Sequence, residues 1–285
     1  MINPILRKLT VEIGRVRMPL PGFPQLMSSL ADDDVEFEAL TAMLNRFPGI
    51  VARLLAAANS AWCQRGSPVT SLNSACSNLG LRLVRSISIS VAVSAPFNAL
   101  KCPAFDVTRF WSSSLLVADA AQKLAHAGRA ARPLEPESVH TAGLLHNIGL
   151  LWLADQFPRD LDSAFHLAAR SADTSFLEAL NGVFGIGLAK VSALVLGRWG
   201  IPGPLVTAIE NHADPAYEDA EWQSAALIGT STEIVAAVSH DVQCPSARIA
   251  LQALGLTQDT LADVYRHTKS QATVTAEIAR SLGKR

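Results

Sequence analysis

Seven histidines, His126, His140, His146, His166, His212, His240 and His267, carry the side chains best suited to acid–base or metal chemistry in this chain. None lies four residues from another, so no helix carries an HExxH-type pair of imidazoles on one face. One context stands apart. Leu144-Leu-His-Asn-Ile-Gly149 sets an imidazole and an amide inside an apolar stretch. Burying such a pair costs free energy unless both are hydrogen-bonded, so this dipeptide is the first candidate for a functional origin. A lone helical histidine elsewhere is expected to be a satisfied core or surface residue.

Other chemistries find less support. The glycines of Asn181-Gly-Val-Phe-Gly-Ile-Gly187 match neither the phosphate-loop nor the dinucleotide pattern, and no strand precedes them. They are expected to form an interhelical turn. No GxSxG elbow marks a serine nucleophile. Cys63, Cys76, Cys102 and Cys244 are scattered, with no CxxC pair to hold zinc. They are expected to be reduced thiols filling core space. Acidic residues sit mostly at helix starts and on exposed faces.

The elements that must position these residues follow from composition and punctuation. Hydrophobic residues make up 49% of the 285 and charged ones 17%, so the chain can bury a large core. Net charge is −1, with no long basic run, which argues against nucleic acid or an anionic membrane as the partner. The longest apolar runs stop short of a membrane span, and no secretory leader is visible. The expectation is a soluble, cytoplasmic protein without nucleic-acid or membrane partners.

Helical spacing dominates, giving an all-α reading. A short helix or arm fills residues 1–17. The proline-rich stretch from Met18 to Pro24 is expected to be extended. Asp32, Asp33 and Asp34 are N-cap material for a helix to about Arg46. Pro48 opens the next helix, which runs to Asn59-Ser60. Gly66, Ser67 and Pro68 form a turn, and a helix from Ser71 to Leu79 ends at a left-handed Gly80. Leu81 to Ala95 alternates with period two in places, but its helical neighbours and the lack of a partner strand favour a buried helix. Pro96 to Pro103 is a break. Further helices are expected over 107–127, 136–156, 158–171, 176–181, 188–199, 205–212, 218–241, 247–254, 258–266 and 272–282.

The order of these pieces resembles the HDOD domain, the HD-related output domain of bacterial signalling proteins. Leu20-Pro-Gly-Phe-Pro24 is similar to the family's proline-containing lead-in, and Phe47 through Asn59-Ser60-Ala61 to its helix ending in Asn-Ser. Pro68-Val-Thr-Ser-Leu72, Ala75 and Leu79-Gly-Leu81 follow its next motif. Phe110-Trp111, Ala142 through His146-Asn147 to Gly149, Trp199-Gly-Ile-Pro202 and Ile209 to His212 complete the match, over about residues 15–215. The resemblance gives Pro21, Pro24, Asn59, Ser60, Gly80, Gly149, Trp199 and Pro202 structural roles. It implies an N-terminal helical subdomain (1–100), an HD-like subdomain (103–215) and a C-terminal helical extension (216–285) able to cover a groove or bind a partner.

The family's catalytic relatives are HD-type metal phosphohydrolases, which need several His and Asp ligands from different helices to hold a metal with an open position. Position by position, the first histidine falls at Ser113, and the His-Asp pair is His146-Asn147. The residue after the glycine, usually lysine, is Leu150. A later histidine falls at Leu188, and the His-His pair is Asn211-His212. Phe47 stands where an acidic residue often precedes the proline. Two imidazoles and an amide make a poor divalent-cation site, so the pocket is expected to be vestigial and free of metal or other cofactor. Glu178 and Glu210 are the conceivable replacement ligands. The resemblance implies a non-catalytic regulatory protein that contacts other signalling proteins. Two alternatives stay open: a divergent phosphohydrolase acting on a nucleotide or cyclic dinucleotide, and a nucleotide sensor in the old pocket, with Arg109 or Lys190 serving a phosphate.

Overall fold

The computed structural model describes residues 3–31, 35–60, 63, 68–129, 134–171, 173–246 and 249–283. Among them the secondary structure is helical throughout, with no strand. The N-terminal third comprises α1 (Pro4–Ile13), α2 (Phe23–Ala31), α3 (Phe37–Leu44), α4 (Pro48–Ala58), α5 (Leu72–Leu79) and α6 (Leu81–Ser94). A 3-10 turn, Ala99–Lys101, leads to α7 (Val107–Ala127), α8 (Pro136–Leu145), α9 (Ile148–Gln156), α10 (Pro158–Arg170), α11 (Phe176–Phe184), α12 (Leu188–Arg198) and α13 (Gly203–Asn211). The chain then forms α14 (Trp222–Ser239), α15 (Ile249–Ala253) and α16 (Gln258–Gly283).

Local chemistry sets many of these bounds. Asp106 caps α7 by accepting the Arg109 N–H at 2.9 Å. Ser175 and Glu178 form a reciprocal capping box at the start of α11, and Gly185, left-handed at φ 69°, ends it. Pro48 and Pro158 sit in the first turn of α4 and α10, where a missing N–H costs nothing. The period-two stretch around Ile87 is the helix α6, with Ile87, Ile89 and Val93 all buried. Gly80 has the positive φ expected of it, but its ψ of 152° makes a sharp corner between α5 and α6.

Several expectations need correction. The stretch before Pro24 is not all extended: α2 starts at Phe23, with Pro24 in the turn whose N–H groups are unsatisfied anyway. Gly22, at φ 78°, makes the corner, and its carbonyl accepts the Leu26 N–H. The helix expected over 136–156 is two, broken at His146-Asn147. The two helices expected over 258–282 are one, because no Pro or Gly interrupts His267 to Gln271. α11 runs on to Phe184, and α13 already begins at Gly203. Asp32, Asp33, Asp34, Ala61, Gly66 and Ser67 lie outside the described residues. α3 opens instead from Glu36, which gives no side-chain cap.

α7 is the axial helix. α8, α14 and α16 pack along it, and α16 reaches on to α4 and α6. One apolar core runs from Leu9 through Phe23, Leu54, Ile87, Trp111, Trp152 and Phe184 to Ile278. A second cluster joins Ala121 and Leu124 of α7 to Ile234, Leu251, Leu261 and Val264. Cys63, Cys76 and Cys102 are buried and Cys244 half-buried, and all four are free thiols. Burial pushes the Cys76 thiol up to about 11, as befits a packing residue. No single described helix is long and apolar enough to cross a membrane.

Candidate functional site

His146 ends α8 and Asn147 precedes α9. Asn147 has φ −106° and ψ 13°, outside the helical range, so the two residues form a corner that takes the imidazole out of the helix line. The corner is fixed from below. The Gly149 N–H donates to Ser192 Oγ at 3.1 Å, and a Cβ on Gly149 would sit 2.7 Å from the Ser192 backbone nitrogen. Only glycine lets α9 cross α12 this closely. At the end of α13, His212 reaches the same place, its ring 5.4 Å from that of His146 in a T-shaped pair at 89°. Gly229 of α14 permits the approach: a Cβ there would lie 2.3 Å from the His212 carbonyl oxygen.

Each imidazole is oriented by its own helix. His146 Nδ1 lies 2.6 Å from the Gly143 carbonyl and His212 Nδ1 2.6 Å from the Ile209 carbonyl. A carbonyl only accepts, so both Nδ1 atoms carry the proton and both Nε2 atoms carry a lone pair. Burial, reinforced by the neighbouring His212, pushes the His146 pKa down to about 3. Burial also lowers that of His212, against the Ile209 hydrogen bond. Both rings are therefore neutral at pH 7. Such imidazoles can ligate a metal or accept a hydrogen bond, but they offer no positive charge to an anion.

The two rings open on a cavity of about 560 Å³. Ser113 and Arg109 line it from α7, Asn147 from the corner and Leu188 from the start of α12. Four of the side chains read as vestigial ligand positions, Ser113, His146, Asn147 and His212, thus do share one cavity, and Leu188 closes it with a buried apolar surface. Asn211 is a correction. Its Nδ2 donates to the Thr207 carbonyl at 2.9 Å, and the side chain turns back onto α13 rather than lining the cavity.

The proposed substitutes are placed elsewhere as well. Glu178 is spent in the α11 capping box. Glu210 pairs with Lys190, which removes both from the site. Of the two candidate phosphate ligands only Arg109 reaches the cavity. Thr232, Glu233, Ser239 and His240 of α14 also line it. Sequence reading missed them because they lie beyond the matched motifs. The small residue Gly229, inside an otherwise continuous helix, was the available signal of a close approach.

The donor set does not fit a divalent cation of the HD type. Among the described residues no group of three or more His, Cys, Asp or Glu side chains converges to hold a metal. His146, His212, His240, Asn147 and Glu233 all line the cavity, but they stand along its walls without three of the charged or imidazole groups converging on one point, as a bound divalent cation requires.

The remaining motif residues act as supports. Asn59 ties the end of α4 to Val69: its Oδ1 accepts the Val69 N–H and its Nδ2 donates to the Val69 carbonyl, both at 2.8 Å. The Ser60 carbonyl accepts the Cys63 N–H. Trp199 Nε1 donates to the Arg17 carbonyl at 2.8 Å, while its ring meets Phe23 and Phe97. Pro21 lies in the turn ahead of α2, and Pro202 precedes the first residue of α13.

Comparison with known proteins gives a consistent picture. The family model described as the HDOD domain matches residues 20–215. An HDOD domain protein of unknown function from Geobacter sulfurreducens superposes with a TM-score of 0.71 at 20% identity, covering 97% of each chain. A Marinobacter aquaeolei VT8 protein with the provisional name of signal transduction protein gives 0.76 at 20% identity, over 98% of this chain and 66% of that one. A Shewanella amazonensis SB2B protein provisionally named a phosphohydrolase gives 0.70 at 22% identity, over 99% of both. An uncharacterized protein of Treponema pallidum (strain Nichols) is 22% identical over 221 residues, and the match spans 76% of this chain but 42% of that relative.

Proposed function

This chain belongs to the HDOD domain family, and from that premise we propose that it is a non-catalytic regulatory protein of signal transduction, acting by contact with other signalling proteins. The observation that carries the reading is the corner at His146-Asn147. An amide stands where a divalent cation would need a carboxylate, and the ring packed against His146 is that of His212, itself held neutral by burial. Hydrolysis of the HD type relies on a metal-activated water, and among the described residues no set of ligands converges to hold that metal. The scaffold of the site is retained, with both Nδ1 atoms anchored on carbonyls, so its role is to shape the surface around α8, α13 and α14.

A second reading rests on the cavity itself. At about 560 Å³ it is of ligand size, and the Arg109 guanidinium and the Ser113 and Thr232 hydroxyls suit a phosphate. The protein would then sense a nucleotide without cleaving it.

One experiment separates these readings. The protein is purified from manganese- and iron-supplemented medium beside His146→Ala, and the metal of both is measured. It is then titrated with a cyclic dinucleotide and with a nucleoside monophosphate. The regulatory reading expects no stoichiometric metal in either protein and no turnover. Stoichiometric metal that disappears in His146→Ala would overturn it, and saturable binding without turnover would favour the sensor.

A further inference from the structure

The wall of the cavity formed by His146 and His212 asks for hydrogen-bond donors. His146 is 1% exposed, yet its Nε2 stays open to the cavity and has no partner among the described residues. The same holds for Nε2 of His212. The Nδ1 protons of both rings are held by the Gly143 and Ile209 carbonyls. Neither ring can turn its lone pair away from the cavity without breaking that bond. A group that covers the two nitrogens displaces water and must bring donors in its place, because a polar atom buried without a partner costs free energy.

The chemistry of the wall narrows what can bring them. Arg109 and Glu233, one cation and one anion, both line the cavity, so its charged side chains select no sign. The histidine end does select. A phosphate or carboxylate oxygen there would set acceptor against acceptor. An ammonium group would leave water for two neutral rings that give it no countercharge. A hydroxyl answers one lone pair and leaves the other. A planar, uncharged amine on a conjugated ring answers both. Its two N–H bonds diverge by about 120°, so acceptors about 3 Å from the nitrogen stand about 5 Å apart. That is within reach of two rings whose centroids are 5.4 Å apart. Leu116, Leu188 and Val235 give the faces of such a ring an apolar wall. Arg109 is exposed where His146 is buried, so a phosphate attached to the ring would point outward.

We propose that this cavity recognises an amino base, adenine or cytosine, carried on a nucleotide, and that the exocyclic NH2 of the base donates to Nε2 of His146 and to Nε2 of His212. The inference rests on the nucleotide-sensing reading of the cavity and adds the identity of the base to it. Bases that present a carbonyl in place of the amine, hypoxanthine and uracil, are turned away by the same two lone pairs.

The test is calorimetric titration of the full chain with two series of nucleotides. Adenosine, inosine and purine riboside monophosphates carry an amine, a carbonyl and a hydrogen at the 6-position of the purine. Cytidine and uridine monophosphates are the corresponding pyrimidine pair. Saturable binding of the adenosine or the cytidine compound is expected, at least about tenfold tighter than the members of its series without the amine, as the loss of buried hydrogen bonds implies. In His146→Phe, which keeps the ring and removes the lone pair, the favoured nucleotide should fall to the affinity of its amine-free analogue, and the analogue should be unchanged. Circular dichroism verifies that the variant is folded. Equal affinities within each series would overturn the proposal and leave nucleotide sensing standing, and so would a preference for the carbonyl compounds; neither comparison needs a variant. Absence of saturable binding by all five would overturn both.

Discussion

Acid should destabilise this protein well above the pH at which carboxylates are lost, and two buried histidines set the size of the effect. His140 is 8% exposed, and burial pushes its pKa down to about 4. Its Nε2 lies 2.8 Å from Ser86 Oγ, a hydrogen bond that holds the neutral ring in place. His146 is 1% exposed and pushed down to about 3. In the unfolded chain both return to about 6.5. Below that pH the unfolded state takes up protons that the folded state refuses. Stability is therefore complete above pH 6.5 and is lost as pH falls toward 4 for His140 and toward 3 for His146. At pH 5 linkage gives a loss of about 2 kcal/mol for each and about 4 kcal/mol together, against a total of about 5–15 kcal/mol for a typical domain. The assay is urea unfolding at pH 7.5 and pH 5, followed by circular dichroism, on the natural protein, His140→Asn and His146→Gln. Each variant will start less stable at pH 7.5, but its own loss on acidification should be about 2 kcal/mol smaller. A natural protein whose unfolding free energy is the same at both pH values would refute the reasoning, as would variants that lose as much as it does.

Further outcomes follow from single contacts. Gly149→Ala and Gly229→Ala place a Cβ 2.7 Å from the Ser192 nitrogen and 2.3 Å from the His212 oxygen. Each should cost about 1–3 kcal/mol by forcing helices apart, read as a lowered melting temperature, whereas Gly182→Ala, with open space around it, should not. Asn59→Ala leaves the Val69 N–H and carbonyl without their side-chain partner and should cost about 1–3 kcal/mol in urea unfolding. Asn147→Asp restores one carboxylate but leaves Ser113 and Leu188 unchanged. Elemental analysis of that variant should show no stoichiometric manganese.

Much of the architecture was legible in the chain because its boundaries are local. Asp106, Ser175, Pro48 and Pro158 announce helix starts through their own hydrogen-bonding chemistry, and the structure places helices there. The period-two run of α6 could be overruled because no second strand existed to pair with it. The misses are tertiary. Nothing in the sequence from Pro136 to Gln156 breaks a helix. The break at His146-Asn147 is imposed by the close crossing at Gly149 and Ser192, 43 residues apart. The cavity was legible only as far as its motifs run: His146 and His212 were found, while Thr232 and Glu233 of α14 were not, since an ordinary helix face carries no mark of what it packs against. Asn211 was misplaced because motif position does not set side-chain direction, and its amide found its own helix first.

The way α16 lies across the molecule has a consequence for synthesis. The Arg53 guanidinium donates to the Ser281 carbonyl at 2.8 Å, and His267 Nε2 meets Asp119 Oδ2 at 2.8 Å, joining segments 228 and 148 residues apart. Leu261, Val264, Ile278 and Ala279 are buried on the face that α16 presents. Until the ribosome has made α16, α7 has no cover on that side, and its apolar flank stays open to water for seconds at ordinary elongation rates. The nascent chain must therefore either hold the first half in a loosely packed state or rely on a holdase until residue 283 emerges. A stall or premature stop before Gln258 would release a species prone to aggregation rather than a smaller working domain.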